Sequence, residues 1–205
     1  MSLAEYAPTT TGTYTYSLIT GAGDADNASF SIRGDILETS SVFDALVKTT
    51  YYVLVGITDQ NGVTTTKQLT ITVQPEPYTL WKFANFGSAA TVAAISGDLI
   101  DSQNDGLPNL LKYALGKSPN APATTGITLG NNGTTFTMNY TLASAATDVS
   151  THAWWTPDIT NPAAWTTSGV TETMLSDNGT LQRWQATVPM RGNAKISMRL
   201  VVTEP

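Results

Sequence analysis

The chain has 205 residues, 41% of them apolar and 13% charged, which suits one large globular domain or two small ones. A formal net charge of −6, with ten Lys and Arg spread thinly, argues against nucleic acid or an anionic membrane as partner, since both need clustered cations. The absence of Cys excludes disulfides, thiolate zinc sites and cysteine nucleophiles, and no apolar run approaches the ~20 residues of a membrane-spanning helix.

Roughly one residue in six is Thr, which together with Tyr, Val and Ile favours strands. Low charge with abundant Thr, Ser, Gly and Asn is also common in secreted bacterial surface proteins. Met1-Ser2-Leu3 reads as a short non-native lead-in. Tyr14, Tyr16 and Leu18 alternate on one face and predict a strand over Thr13–Ile19. Phe30–Ile32 follows a loop rich in Gly and Asp. Tyr51–Ile57 is a third strand, with Tyr51, Val53, Val55 and Ile57 on one face. Val63–Val73 is a fourth, with Val63, Leu69, Ile71 and Val73 facing one way and Thr64, Thr66, Gln68, Thr70 and Thr72 the other. One apolar and one polar face is the pattern of antiparallel sandwich strands, and Asn61-Gly62 is a strong hairpin signal. Pro75 and Pro77 stiffen the chain and interrupt pairing, which places a boundary between domains 1–75 and 76–205.

The helical part lies after that boundary, over residues 78–119. Tyr78–Phe86 is a short helix stopped by Gly87. Leu107–Leu115 is a second, with Pro108 near its start, an apolar stripe of Leu107, Leu110, Leu111 and Leu115, and Gly116 as its stop. Strands return over Thr134–Thr141, Val149–Trp155, Val170–Leu175, Leu181–Val188 and Ile196–Val202, with turns at Asn131-Asn132-Gly133 and Asp177-Asn178-Gly179. The expected fold is mainly β: two antiparallel β-sandwiches, with two short helices and a degenerate calcium-type loop between them.

That loop begins at Asp101. An oxygen-ligand loop places side chains on alternate residues and a Gly at its sixth position. Asp101, Asp105, Gly106 and Asn109 fill positions one, five, six and nine, and Gln103 is a weaker ligand at position three. Position twelve is Lys112, where a bidentate Glu belongs; a cation there repels an ion. Calcium is the cofactor these residues imply, held weakly or lost, and an Asp/Asn/Gly turn that starts a helix is the plainer reading. A second oxygen set, Asp24, Asp26 and Asn27 with Asp59, reads either as a weak calcium site at one end of the first domain or as Asx turns.

Two resemblances cover most of the chain. Tyr16-Ser17-Leu18, the run Gly21–Ile32, Phe43-Asp44 and Val55–Gly62 make the first half resemble a bacterial cadherin-like module of the immunoglobulin class. That resemblance implies a calcium-binding adhesion sandwich, although Leu46 stands where an acidic partner of Asp44 is expected. Trp81–Phe86, Asn104-Asp105-Gly106-Leu107-Pro108-Asn109, Tyr113-Ala114-Leu115-Gly116 and a closing strand Ser197–Val202 make the second half resemble the C-terminal modules of large secreted proteins from bacteria such as Verrucomicrobia. Gln103 and Lys112 depart from the Asp and Glu of that pattern.

Trp154, Trp155, Trp165 and Trp184 are dense for a small β domain. Flat aromatic faces serve sugar binding, with Trp154 and Trp165 as the candidate ligand contacts, while core packing is the plainer reading for most of these residues. Trp154 and Trp155 are neighbours on a strand and point to opposite faces. His152 is the one histidine, and no nucleophile elbow, phosphate loop or zinc motif accompanies it. The expectation is a non-enzymatic extracellular adhesion or spacer piece at a cell surface, meeting a protein or a glycan. The alternative is a carbohydrate-binding accessory module of a glycan-degrading enzyme.

Overall fold

The computed structural model describes residues 1–9, 11–190, 192 and 195–204. The protein is mainly β, with antiparallel sheets and few helices, and it divides into two units, Met1–Pro75 and Glu76–Pro205. Among the described residues no helix is long and apolar enough to cross a membrane.

In the first unit, β1 (Tyr14–Leu18) pairs with β4 (Thr50–Asp59), and β4 pairs with β5 (Thr64–Thr72). A ribbon of β2 (Phe30–Arg33) and β3 (Ile36–Thr39) accompanies this sheet. Tyr51, Val53, Val55 and Ile57 of β4 are all buried and share one core with Phe30, Leu37 and Leu69. β4 is the central strand, and Leu54 on its other face is buried as well.

Residues 1–3 pack on the β2–β3 ribbon: Ser2 bridges Ile36, Met1 exchanges backbone hydrogen bonds with Leu37, Leu3 N–H donates to Asp35 O, and Leu3 is 1% exposed within the core. One expectation changes here. Val63 does not share the inner face of β5. It precedes the strand, is exposed, and accepts the Asp59 N–H within the turn. Thr64–Gln68 are exposed on both faces, so the apolar alternation begins only at Leu69. The strand β3 is not among the expected strands, although its signal is local. Gly34-Asp35 joins paired Arg33 and Ile36, and the left-handed Gly34 (φ 67°) suits a two-residue hairpin turn.

In the second unit, α1 (Pro77–Phe86) starts on Pro77, whose missing N–H costs nothing in the first turn, and stops at the left-handed Gly87. A short α2 (Ala93–Ser96) follows, then α3 (Asn109–Ala114), closed by Gly116 at φ 65° and a Lys117 N–H donated back to Lys112 O. The strands are β6 (Thr128–Asn131), β7 (Thr135–Ala143), β8 (Ser150–Thr156), β9 (Thr171–Asp177), β10 (Leu181–Pro189) and β11 (Ser197–Thr203). They form a four-stranded sheet in the order β6-β7-β10-β9 and a β8–β11 pair. Met138, Tyr140, Ala153 and Ala186 are the buried centre of one cluster, with Trp184, Met198 and Leu200 against it, so both sheets contribute to one core.

The helices join this β region through Tyr78, Leu110, Tyr113 and Trp81, which pack with Val149 and Val202. Asp148 ties them down: one carboxylate oxygen accepts the Tyr78 N–H at 2.7 Å and the other the Tyr113 hydroxyl at 2.5 Å.

Candidate functional site

The Asp101–Lys112 loop turns through two left-handed residues, Asn104 (φ 52°) and Gly106 (φ 79°), the backbone state that Asn and Gly enter most readily. Asp101 holds the turn: its two oxygens accept the Asp105 and Gly106 N–H groups at 3.2 and 2.8 Å. Asp105 Oδ1 accepts Leu107 N–H at 3.0 Å, and its Oδ2 accepts Ala123 N–H at 2.8 Å. The same Oδ2 lies 2.9 Å from Lys112 Nζ, with the two side chains 9% and 1% exposed. Lys112 and the surrounding N–H donors pull the Asp105 carboxyl down to about 2.

Asn109 is buried, its Nδ2 donating to Ile95 O and Gly97 O at 3.2 and 3.0 Å. Gln103 is half-buried. A calcium ion takes about six to eight oxygens. Here one Asp105 oxygen faces an ammonium and the other three carboxylate oxygens of Asp101 and Asp105 accept backbone N–H groups, so the loop residues as arranged do not fit that ion. Among the described residues no group of three or more His, Asp and Glu side chains converges on one point.

The other oxygen set is split along β4. Asp24 accepts Gly21 N–H at 3.0 Å. Asp26 Oδ2 accepts Tyr52 N–H at 2.9 Å, and its Oδ1 meets Lys48 Nζ at 2.5 Å; Lys48 and the Tyr52 N–H lower the Asp26 pKa. Asp59 lies at the far end of β4, its Oδ1 accepting Asn61 and Val63 N–H groups, which lower its pKa. Tyr52 and Asp59 are seven residues apart on one strand, about 23 Å at the rise of extended chain. The structure therefore brings Asp24 and Asp26 together but not Asp59, because the two turns close opposite ends of β4.

The tryptophans are split as well. Trp154 of β8 pairs in register with Arg199 of β11. The Arg199 guanidinium lies 5.7 Å from the Trp154 ring centre and 4.3 Å from that of Trp165, so the two candidate contacts meet on one face through a cation. Both rings are half-buried and Arg199 is exposed, with no hydrogen bond or ion pair from its guanidinium among the described residues. Trp155 donates to Ser168 O, and Trp184 packs against the core.

His152 Nδ1 lies 3.2 Å from Glu172 Oε2, its hydrogen-bond partner among the described residues. The other Glu172 oxygen accepts the Tyr140 hydroxyl and the Ala153 N–H, both at 2.8 Å, which links β9 to β8. Burial and the nearby carboxylate raise the Tyr140 pKa. A hollow of about 280 Å³ is lined by Leu142, Val149, Gln182 and Trp184 among others, and no acid, base or His lines it among the described residues.

Arg199, Glu172 and Asp148 escaped sequence reasoning. Each acts on a residue far away in the chain, and only strand register or the docking of α1 and α3 makes the pair. No protein-family model matches the chain, and no curated protein matches it.

Proposed function

We propose that the chain is a non-enzymatic extracellular display piece: an adhesion-type spacer over residues 1–75, followed by a cap or surface-attachment module over 76–205. Its partner is a protein or glycan at a cell surface. Both units are read as sandwiches, the first of the immunoglobulin type that the Gly21–Ile32 and Val55–Gly62 segments resemble, with Met1–Leu3 extending its ribbon.

One observation carries this reading. The side chains best suited to chemistry are engaged by the fold itself: Lys112 by Asp105, Asp26 by Tyr52 and Lys48, and Glu172 by Tyr140 and Ala153. A hydrolase needs a base beside a nucleophile, and His152 hydrogen-bonds to a carboxylate that already braces two strands. The purified chain is expected to turn over no ester, peptide or glycoside substrate, and His152→Ala to leave binding to cells unchanged. Turnover abolished by His152→Ala in a folded variant would overturn the reading.

Carbohydrate binding is the second reading, and Arg199 is the observation that favours it. A guanidinium stacked on Trp165 and Trp154 offers its in-plane N–H donors to an oxyanion while the ring edges offer apolar contact. The glycan it suits carries carboxylates. Binding of uronic-acid oligosaccharides but not neutral ones, lost in Arg199→Ala, would establish this reading; equal or absent binding of both would remove it.

A further inference from the structure

We infer that the ammonium of Lys112 is the resident cation of the Asp101–Lys112 loop, a tethered charge in the place of a metal ion, so that the second unit holds its fold independently of calcium. This goes beyond the display reading and stands whatever the chain displays.

The inference starts from position twelve. In an oxygen-ligand loop that residue closes the shell by bringing a carboxylate onto the ion. In this chain position twelve brings the cation itself. Lys112 sits on α3, and its Nζ reaches back to Asp105 Oδ2 at 2.9 Å with the side chain 1% exposed. Lys is almost never so deeply buried unless paired. The pairing is with the position-five carboxylate, the same group whose Oδ2 pins Ala123 and whose Oδ1 pins Leu107. One ammonium thus neutralises the carboxylate that organises the loop, the start of α3 and the segment approaching β6.

The rest of the loop follows from that exchange. Asp101 needs no ion, because both its oxygens are taken by loop N–H groups. Asn109, a ligand position in a metal loop, turns its amide onto Ile95 O and Gly97 O and stitches α3 to the end of α2. A metal-filled loop loses its charge balance when the ion dissociates, and its stability follows free ion concentration. A covalently attached ammonium is never diluted. The consequence is a module whose fold is insensitive to chelation.

The test is thermal unfolding of the full chain in millimolar calcium and in excess EDTA, for the wild type, for Lys112→Met and for the pair Lys112→Glu with Gln103→Asp. Lys112→Met keeps the apolar stem and deletes the charge. The wild-type transition of the second unit is expected to be the same in both buffers, and Lys112→Met is expected to lower it by several degrees. The double variant regains ligand residues and is expected to melt higher in calcium than in EDTA. A wild-type transition that shifts with calcium would overturn the inference. So would a Lys112→Met protein as stable as the wild type, since the charge would then contribute nothing. Both of these outcomes are readable even where the double variant does not fold.

Discussion

Asp26 pairs with Tyr52 as a strand would: the Asp26 N–H donates to Tyr52 O at 3.0 Å, and its carboxylate accepts the Tyr52 N–H at 2.9 Å. The next residue repeats the device. Asn27 Nδ2 donates to Ile19 O and Leu54 O, and its Oδ1 accepts the Leu54 N–H. Two polar side chains thereby continue the ladder of β4 where β1 has ended, which is a structural use of the residues that also suggest a calcium loop.

Asn27→Ala leaves the Leu54 N–H and the Ile19 O without their partner, while Leu54 O keeps the Ile19 N–H. It is expected to cost the first unit about 2–3 kcal/mol, read by denaturant unfolding, and to speed amide exchange at Leu54. An unchanged midpoint would mean that water replaces the amide at no cost.

The pH dependence of the second unit follows from Asp105. Its folded pKa, about 2, lies below the ordinary carboxylate value. A depressed folded pKa adds stability above the unfolded value, and that stability is lost as pH falls toward the folded one. The midpoint contribution of this pair is expected to be flat from neutral pH down to roughly pH 4 and to decline from there toward pH 2. Asp105→Asn is expected to flatten that acid decline. A variant with the same acid profile as the wild type would place the linkage elsewhere.

How much of this was legible in the sequence differs by residue. The mainly β character was, because the alternation of Tyr51, Val53, Val55 and Ile57 is local and these residues are indeed the core face of β4. So were the Gly87 and Gly116 helix stops, since a left-handed residue is needed there whatever surrounds it. From spacing alone Lys112 is a charge that repels an ion. Its burial against Asp105 depends on a chain reversal through Asn104 and Gly106 that spacing alone does not resolve. Asp59 resembles Asp24 and Asp26 in sequence because turns are alike in composition; the length of β4 separates them. Arg199 meets Trp154 only through the β8–β11 register, and a register between distant strands is not written in either one.

Tyr78, Tyr113 and Tyr140 donate their hydroxyls to Asp98, Asp148 and Glu172, and burial with these carboxylates raises all three pKa values. A raised folded pKa adds stability below the unfolded value near 10, and that stability is lost as pH climbs beyond it. In an absorbance titration of the eight tyrosines, these three are expected to stay protonated past the main wave and to ionise only as the second unit unfolds. Tyr113→Phe is expected to remove one of them from the late step. A single wave covering every tyrosine in the folded protein would contradict the three hydrogen bonds.

The proposed spacer role requires two units that each resist force on their own, which pulling the single molecule from its two ends reads out. Two separate unfolding events are predicted, releasing up to about 260 and 450 Å for Met1–Pro75 and Glu76–Pro205 at the reach of extended chain. Their forces are predicted to be equal in calcium and in EDTA. A single event covering the whole chain, a unit that extends without resistance, or a force that falls when calcium is removed would contradict the account.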